Sequence, residues 1–258
     1  MVKGLYTAYT GLRNEQNRMD VMTNNLANAT TVGFKKEGST SQAFSDILAV
    51  KLKDNSVGLR VRQPIGINNP GVKIGENYVD YTQGSFRITD NTYDLALSGD
   101  GFFAIEFTNK AGETSTKYTR SGDFTLNVDG FLVTNEGDYV LDVNNQRIQV
   151  DPLKETSIQT DGTISQDGEV LARIQVTDFQ DYDYLHRYGE TYFQPIEGAQ
   201  TMEGSAQIYS GYLEMSNIQV VSEMVNMIAI TRQYESNQKV VQTIDDSLRI
   251  AVNDLGKV

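Results

Sequence analysis

Between Tyr212 and Leu255 the chain contains neither glycine nor proline, the two residues that interrupt a helix most strongly. Over that stretch Val220, Met227, Tyr234, Val241, Leu248 and Leu255 recur at every seventh position, alternating with Met224, Thr231, Gln238, Asp245 and Val252. Such spacing keeps one side of a helix in register with a neighbour, so a single helix of roughly 35 to 40 residues is expected. The start of the chain carries a similar design: Leu5, Leu12, Met19 and Leu26 form an apolar column, with Tyr9, Gln16 and Thr23 at the intervening seam positions. A seam that includes Gln16, Thr23, Thr231, Gln238 and Asp245 cannot make a dry two-helix core. Polar seam residues tend instead to specify register or oligomeric state.

Between these segments the hydrophobic period changes from helical to two. Residues 102–107, 124–128, 139–143 and 171–176 read as short strands. Asp100-Gly101, Asp129-Gly130, Glu136-Gly137, Asp161-Gly162 and Asp167-Gly168 punctuate them at spacings suited to hairpins. The expected class is α+β. The helices of residues 1–36 and 212–258 form a discontinuous, coiled-coil-like domain, residues 76–185 an antiparallel all-β domain, and residues 37–75 and 186–211 extended connectors holding Pro64, Pro70 and Pro195.

Charge narrows the function. The 258 residues carry a formal net charge of −12, which argues against nucleic acid or an anionic membrane surface as partner. Five Lys or Arg face two Asp or Glu in residues 1–36, and four face six in residues 212–258, so the excess acid lies in the middle. No run approaches the roughly 18 apolar residues of a membrane span, so direct membrane insertion is not expected. Residues 1–26 are amphipathic rather than built as a basic, apolar and small-residue leader, so an exported chain would need a route other than a cleaved signal.

Motifs for chemistry are scarce. Cysteine is absent, which excludes disulfides, thiolate metal sites and a thiol nucleophile. His186 is the only histidine, too few for a His-based zinc site. Gly99-Asp100-Gly101-Phe102-Phe103 is half of a dinucleotide fingerprint and runs into a strand, so it reads as a hairpin turn. Asp178, Asp181 and Asp183 lack the glycine and glutamate of a calcium loop and read as a solvated connector. No cofactor, metal or enzymatic activity is expected.

What remains is architecture. Helices that cannot bury their stripes within one subunit can do so against neighbours, which suits polymerisation. The residues alone leave two other classes open: a self-contained binding module whose end helices pair as a stalk, and a polysaccharide hydrolase using paired carboxylates of the acidic middle.

One stretch is longer than a helix cap requires: Asn24-Asn25-Leu26-Ala27-Asn28, followed by Thr31-Val32-Gly33-Phe34-Lys35. It resembles the N-terminal signature of the flagellar rod and hook family, the axial proteins of the bacterial flagellar basal body. Residues 81–86, 94–103, 118–124 and 129–134 are similar to the β-domain motifs of that family in the same order, and residues 211–218, 223–228 and 232–237 to its C-terminal signature. Gln233 stands where the family pattern has alanine.

The resemblance implies a tube-forming subunit whose terminal helices line an inner core around an export channel, with the β domain outside. It further implies a homo-oligomeric helical assembly joined to other rod and hook proteins, located in the basal body and exported through the flagellar type III apparatus. A single modest β module fits a rod subunit better than a hook protein. On this reading Leu5, Leu12, Met19, Leu26, Val220, Met227, Tyr234, Val241, Leu248 and Leu255 are helix-packing positions. Asn24, Asn25, Asn28, Gly33, Phe34, Ser216 and Asn217 mark a junction, where amide side chains bond backbone groups at a helix end and Gly33 permits a turn that other residues resist.

Overall fold

The computed structural model describes residues 2–51, 63–110 and 112–255. The chain divides into two compact units, one of Met1–Leu26, Glu37–Asp80 and Gln219–Val258, the other of Ala27–Lys36 and Tyr81–Ile218. The class is α+β, with a helix at each end of the chain and antiparallel strands between them.

The first unit contains α1 (Val2–Ala27), β1 (Glu37–Ala43), β2 (Ile47–Lys51), β3 (Gln63–Asn68), β4 (Val72–Val79) and α2 (Val220–Leu255). The uninterrupted sequence of residues 220–255 gives a 36-residue helix. β1 pairs antiparallel with β4, from Glu37 opposite Val79 to Ala43 opposite Val72, and β2 pairs with β3. The extended connector expected at 37–75 is thus corrected to paired strands; residues 52–62 lie outside the described part. β1 reads EGSTSQA, with no apolar alternation to announce a strand. Side chains tie this ladder to α1: Ser41 Oγ donates to Asn14 Oδ1 at 3.1 Å, Thr7 Oγ1 donates to the Pro70 carbonyl at 3.3 Å, and the Tyr6 and Phe44 rings lie 6.5 Å apart.

α1 meets α2 through small residues. A Cβ at Gly4 would lie 3.6 Å from Ile244 Cδ1, and one at Gly11 would lie 2.9 Å from Asn237 Nδ2. Gly4 thus faces Ile244 and Gly11 faces Asn237, so the two helices run antiparallel at these positions. Ala8, between the two glycines, and Ile230 on α2 are buried.

The second unit continues with β5 (Phe86–Ile88), β6 (Leu95–Ser98), β7 (Phe102–Thr108), β8 (Thr114–Thr119), β9 (Phe124–Leu126), β10 (Leu132–Thr134), β11 (Tyr139–Val140), β12 (Thr156–Ile158), β13 (Thr163–Gln166) and β14 (Glu169–Arg173). Then come β15 (Val176–Phe179), β16 (Leu185–Tyr188), β17 (Tyr192–Pro195), β18 (Thr201–Glu203), β19 (Gln207–Ser210) and β20 (Tyr212–Glu214). The main sheet runs β16-β17-β8-β7-β11-β10-β9, and β15 joins β7 to β18. The return connector expected at 186–211 is accordingly corrected: it supplies β16 to β19, and the β unit extends well past residue 185.

β7 organises the core because both its faces are covered. Phe102 to Ile105 are all buried, the continuous apolar run of a strand packed on two sides. Phe103 meets Phe124 edge-on within a cluster with Leu95, Leu97, Leu132, Val140 and Ile174. Phe102 faces the other way, against Phe179, Tyr182 and Phe193.

The strand expected at 171–176 is corrected to two, since β14 ends at Arg173 and β15 begins at Val176 in a different sheet. Gln175 N–H donates to the Leu141 carbonyl at 3.1 Å, so the chain changes partners at that point. Gly99 to Gly101 likewise joins strands of different sheets, β6 pairing with β19 and β7 with β8, rather than closing a hairpin. His186 lies in β16, opposite Gln194, rather than in a loop.

Burial raises the Tyr81 phenol to about 12, with Arg187 opposing and Asp183 assisting. Burial also raises Tyr182 and Tyr192, which donate to Asp178 and Asp138 at 2.8 and 2.9 Å. A folded pKa above the unfolded 10.0 means stability is fully present below about pH 10 and is lost as pH rises through the folded values. Urea unfolding is expected to show a free energy that falls between about pH 10 and 12, with these phenols ionising only as the unit opens.

Candidate functional site

The segment that resembles a family signature is held by two sets of bonds. Asn25, buried in the last turns of α1, donates from Nδ2 to the Glu37 carbonyl at 2.7 Å and accepts Glu37 N–H on Oδ1 at 2.9 Å. One amide thereby satisfies both backbone groups of the first β1 residue. Asn25→Ala leaves that donor and acceptor unpaired, and chemical denaturation is expected to show a loss of about 1–3 kcal/mol.

Asn28 is also buried; its side chain accepts Thr31 Oγ1–H at 3.1 Å and its carbonyl accepts Thr31 N–H at 3.2 Å. Asn24 faces solvent. Gly33 adopts a φ of +69°, and a Cβ there would lie 2.3 Å from the Ser121 nitrogen. Its N–H donates to the Glu214 carbonyl at 2.8 Å. Phe34 is fully buried beneath the Arg187 guanidinium, 4.0 Å from its ring centroid. Lys36 N–H donates to Asn217 Oδ1 at 2.8 Å, and Asn217 Nδ2 donates to Thr82 Oγ1 at 3.0 Å. Ser216 is buried beside it.

At the centre of this arrangement lies a dry ionic network. Glu214, wholly buried on β20, accepts Lys35 Nζ at 2.6 Å and Gly84 N–H at 2.9 Å on Oε1, and the Arg120 guanidinium at 3.3 Å on Oε2. Lys35 Nζ also donates to the Thr82 carbonyl at 2.8 Å, and Arg120 to the Gly99 carbonyl at 2.7 Å. Each of the five segments that meet here lies in a different one of the quoted motifs: 31–35, 81–86, 94–103, 118–124 and 211–218. Reading the motifs one at a time missed this convergence. The available signal was that three of them carry a charge where a strand or turn faces the core.

The expected helix-packing positions fall less uniformly. Leu5, Leu12, Met19, Leu26, Met227, Tyr234 and Val241 are half-buried, Val220 and Leu248 are exposed, and the Leu255 side chain lies outside the described residues. Tyr9, Gln16, Thr23, Met224, Gln238, Asp245 and Val252, expected at the alternate seam positions, are exposed. Gly4 and Gly11 also face α2, against the Ile244 and Asn237 side chains, and a Cβ at Gly11 would crowd the Asn237 amide. On another side of α2, Val221, Val225 and Ile228 are 77%, 60% and 54% exposed.

Among the described residues no three His, Asp or Glu side chains gather as metal ligands, and no helix is long and apolar enough to cross a membrane. Asp181 caps a short 3₁₀ helix by accepting Asp183 N–H, and Asp178 accepts Phe179 N–H and the Tyr182 hydroxyl. A cleft of about 600 Å³ contains Asp161 and Glu203. Hydrogen bonds from Thr163 lower the Asp161 pKa and Arg173 lies 3.9 Å from Glu203. The Asp161 shift runs opposite to the one that prepares a carboxyl group as a general acid.

Three models of known families match segments of the chain. Residues 5–35 match the model described as flagella basal body rod protein, 96–172 that of the flagellar hook protein FlgE/F/G D1 domain, and 209–255 that of the flagellar basal body rod FlgEFG protein C-terminal. The flagellar basal-body rod protein FlgG of Bacillus subtilis is 32% identical over 275 residues, covering 98% of this chain and 99% of that protein. The chain belongs to the flagellar rod and hook family.

Other members of the rod and hook family lie at similar distance. The flagellar basal-body rod protein FlgF of Caulobacter vibrioides is 34% identical and the flagellar hook-basal body complex protein FlhO of Bacillus subtilis 32%, each with full coverage of both chains. The three matched regions contain the Asn24–Lys35 signature, the β7 core and the α2 helix.

Proposed function

We propose that this protein is a structural subunit of the bacterial flagellar rod, located in the basal body, that polymerises into a helical tube carrying torque from motor to hook. In that tube α1 and α2 form a coiled-coil-like inner layer around the export channel and the β unit lies outside. The chain is exported through the flagellar type III apparatus and joins other rod and hook proteins. The observation that carries this reading is the exposed apolar row Val221, Val225 and Ile228 on α2. In a chain related end to end to rod proteins, such a row is buried when a neighbouring helix covers it.

The distal rod is the proposed position, supported by a single β unit among the described residues and by FlgG relatives that align along nearly the whole chain. A proximal rod or hook paralogue is the alternative, since FlgF aligns as fully. Expression in strains lacking one rod gene each separates the two: swimming restored only without FlgG supports the distal position, and restored only without FlgF places the subunit elsewhere.

Amide hydrogen exchange on dilute monomer and on assembled protein tests the assembly itself. Residues 2–27 and 220–255 are expected to exchange quickly in the monomer and slowly in the tube. Slow exchange of both helices in a monomer that never assembles favours a stalked binding module.

A further inference from the structure

We propose that Asp167, alone among the Asp-Gly pairs of the chain, is a site of spontaneous main-chain isomerisation to isoaspartate. The Gly168 amide nitrogen attacks Cγ of the protonated Asp167 carboxyl group, and the N–H proton and the carboxyl hydroxyl depart together as one water, closing a succinimide ring. Solvent water then opens the imide at either carbonyl. Opening at Cγ returns aspartate, and opening at the main-chain carbon leaves Gly168 joined through the side chain. Water is the only co-reactant.

Attack needs a glycine nitrogen released from hydrogen bonding and a turn that can bring the carboxyl group onto it. At Asp129-Gly130 and Asp161-Gly162 the glycine N–H donates to the Asn127 and Gln159 carbonyls, each at 3.0 Å. A bond that must break first slows attack by a factor of about 10. Hydrogen bonds from Thr163 N–H and Oγ1–H, at 3.0 and 2.9 Å, further hold the Asp161 carboxyl group in its ionised form. At Asp100-Gly101 the glycine is buried beside Val176 and leads straight into Phe102 of β7, so the turn cannot move without the core. Asp167 and Gly168 instead form the tip of the β13–β14 hairpin, beyond the Gln166–Glu169 pair. Among the described residues the Gly168 nitrogen has no acceptor, and nothing lies within 4 Å of a Cβ built on that glycine. The Asp167 carboxylate meets Lys154 Nζ at 3.2 Å, with both side chains at least half exposed, a weak restraint.

Isoaspartate adds one carbon to the main chain inside a two-residue turn, so the Gln166–Glu169 pair loses its register. Gln166 is buried next to that turn, and its amide donates to the Asp151 carbonyl and to Thr156 Oγ1, both at 2.8 Å. The change therefore reaches the neighbouring 151–156 segment. The inference concerns this hairpin and stands apart from the rod assignment.

Folded full-length protein incubated in ¹⁸O-labelled water at mildly acidic pH tests it, beside a synthetic peptide of residues 163–172 as the unrestrained reference. Peptide mapping with electron-based fragmentation separates isoaspartate from aspartate and locates the label. Isoaspartate carrying one solvent oxygen is expected at 167 at a rate approaching that of the peptide, and at least about 10-fold more slowly at 129 and 161. Equal accumulation at all the Asp-Gly pairs, as unfolding before reaction would give, overturns the proposal, as does conversion of the peptide with none at 167 in the folded chain. In the isolated isoaspartyl form, amides of 163–173 are expected to exchange faster while those of β7 keep their protection. Native exchange rates over 163–173 in that form overturn the loss of register.

Discussion

Replacing Val225 and Ile228 together by glutamate is expected to abolish tube formation while leaving the isolated subunit folded. Both side chains are more than half exposed in the single chain, so their loss changes monomer stability by no more than about 0.5 kcal/mol. In an assembly each would bury an aliphatic side chain worth about 1.5–3 kcal/mol, and glutamate would place a charge in the contact. Two anchors lost from every subunit raise the concentration needed for assembly by at least about 10²-fold. Sedimentation and electron microscopy across a concentration series check this, with circular dichroism as the control for folding. Tubes at the native concentration would remove this face of α2 from the assembly model.

The second large effect is at Gly33. Alanine there must keep a left-handed φ of +69° and place its methyl carbon 2.3 Å from the Ser121 nitrogen and 2.5 Å from the Arg120 carbonyl carbon. Both contacts are backbone, so no side chain can swing aside. A residue forced into that conformation costs about 1–3 kcal/mol, and relieving the overlap means shifting the segment off Glu214. A total loss of about 3–5 kcal/mol in urea unfolding is expected for Gly33→Ala. Gly137→Ala is the control, because its φ of +95° is also left-handed but open space surrounds it. That variant should lose only the conformational part, about 1 kcal/mol. Equal losses for the two would show that the contact with residues 120–121 carries no energy.

The helices were legible because their signals are additive along the sequence: no glycine or proline in residues 212–255, and apolar residues at every seventh position. Strand positions were legible where Asp-Gly and Glu-Gly pairs forced turns, and the glycines of all five pairs do have positive φ. The polar β1 strand was not legible, since EGSTSQA owes its place to backbone pairing with β4 and to Asn14 on α1 rather than to apolar alternation. The break between β14 and β15 hides in an apolar run, because Ile174 is buried on either reading. Most opaque was the ionic network. A lone lysine, arginine or glutamate reads as solvated, and only the fold reveals that all three share one interior point.

The aromatic packing around Phe102 also fixes how this molecule can be watched. Tryptophan is absent, so chiral near-ultraviolet absorption arises from tyrosine and phenylalanine alone. Tyr81, Tyr118, Tyr182 and Tyr192 sit in tilted or edge-on contact with other rings of the β unit, whereas Tyr6, Tyr9 and Tyr78 of the helical unit are about half exposed. Near-ultraviolet circular dichroism is therefore weighted toward the β unit, with the Tyr6–Phe44 pair as a smaller contribution from the helical unit, and the far-ultraviolet helical band reports α1 and α2. The native chain carries a separate optical probe for each unit, so melting of one ahead of the other is visible without a label or a substitution.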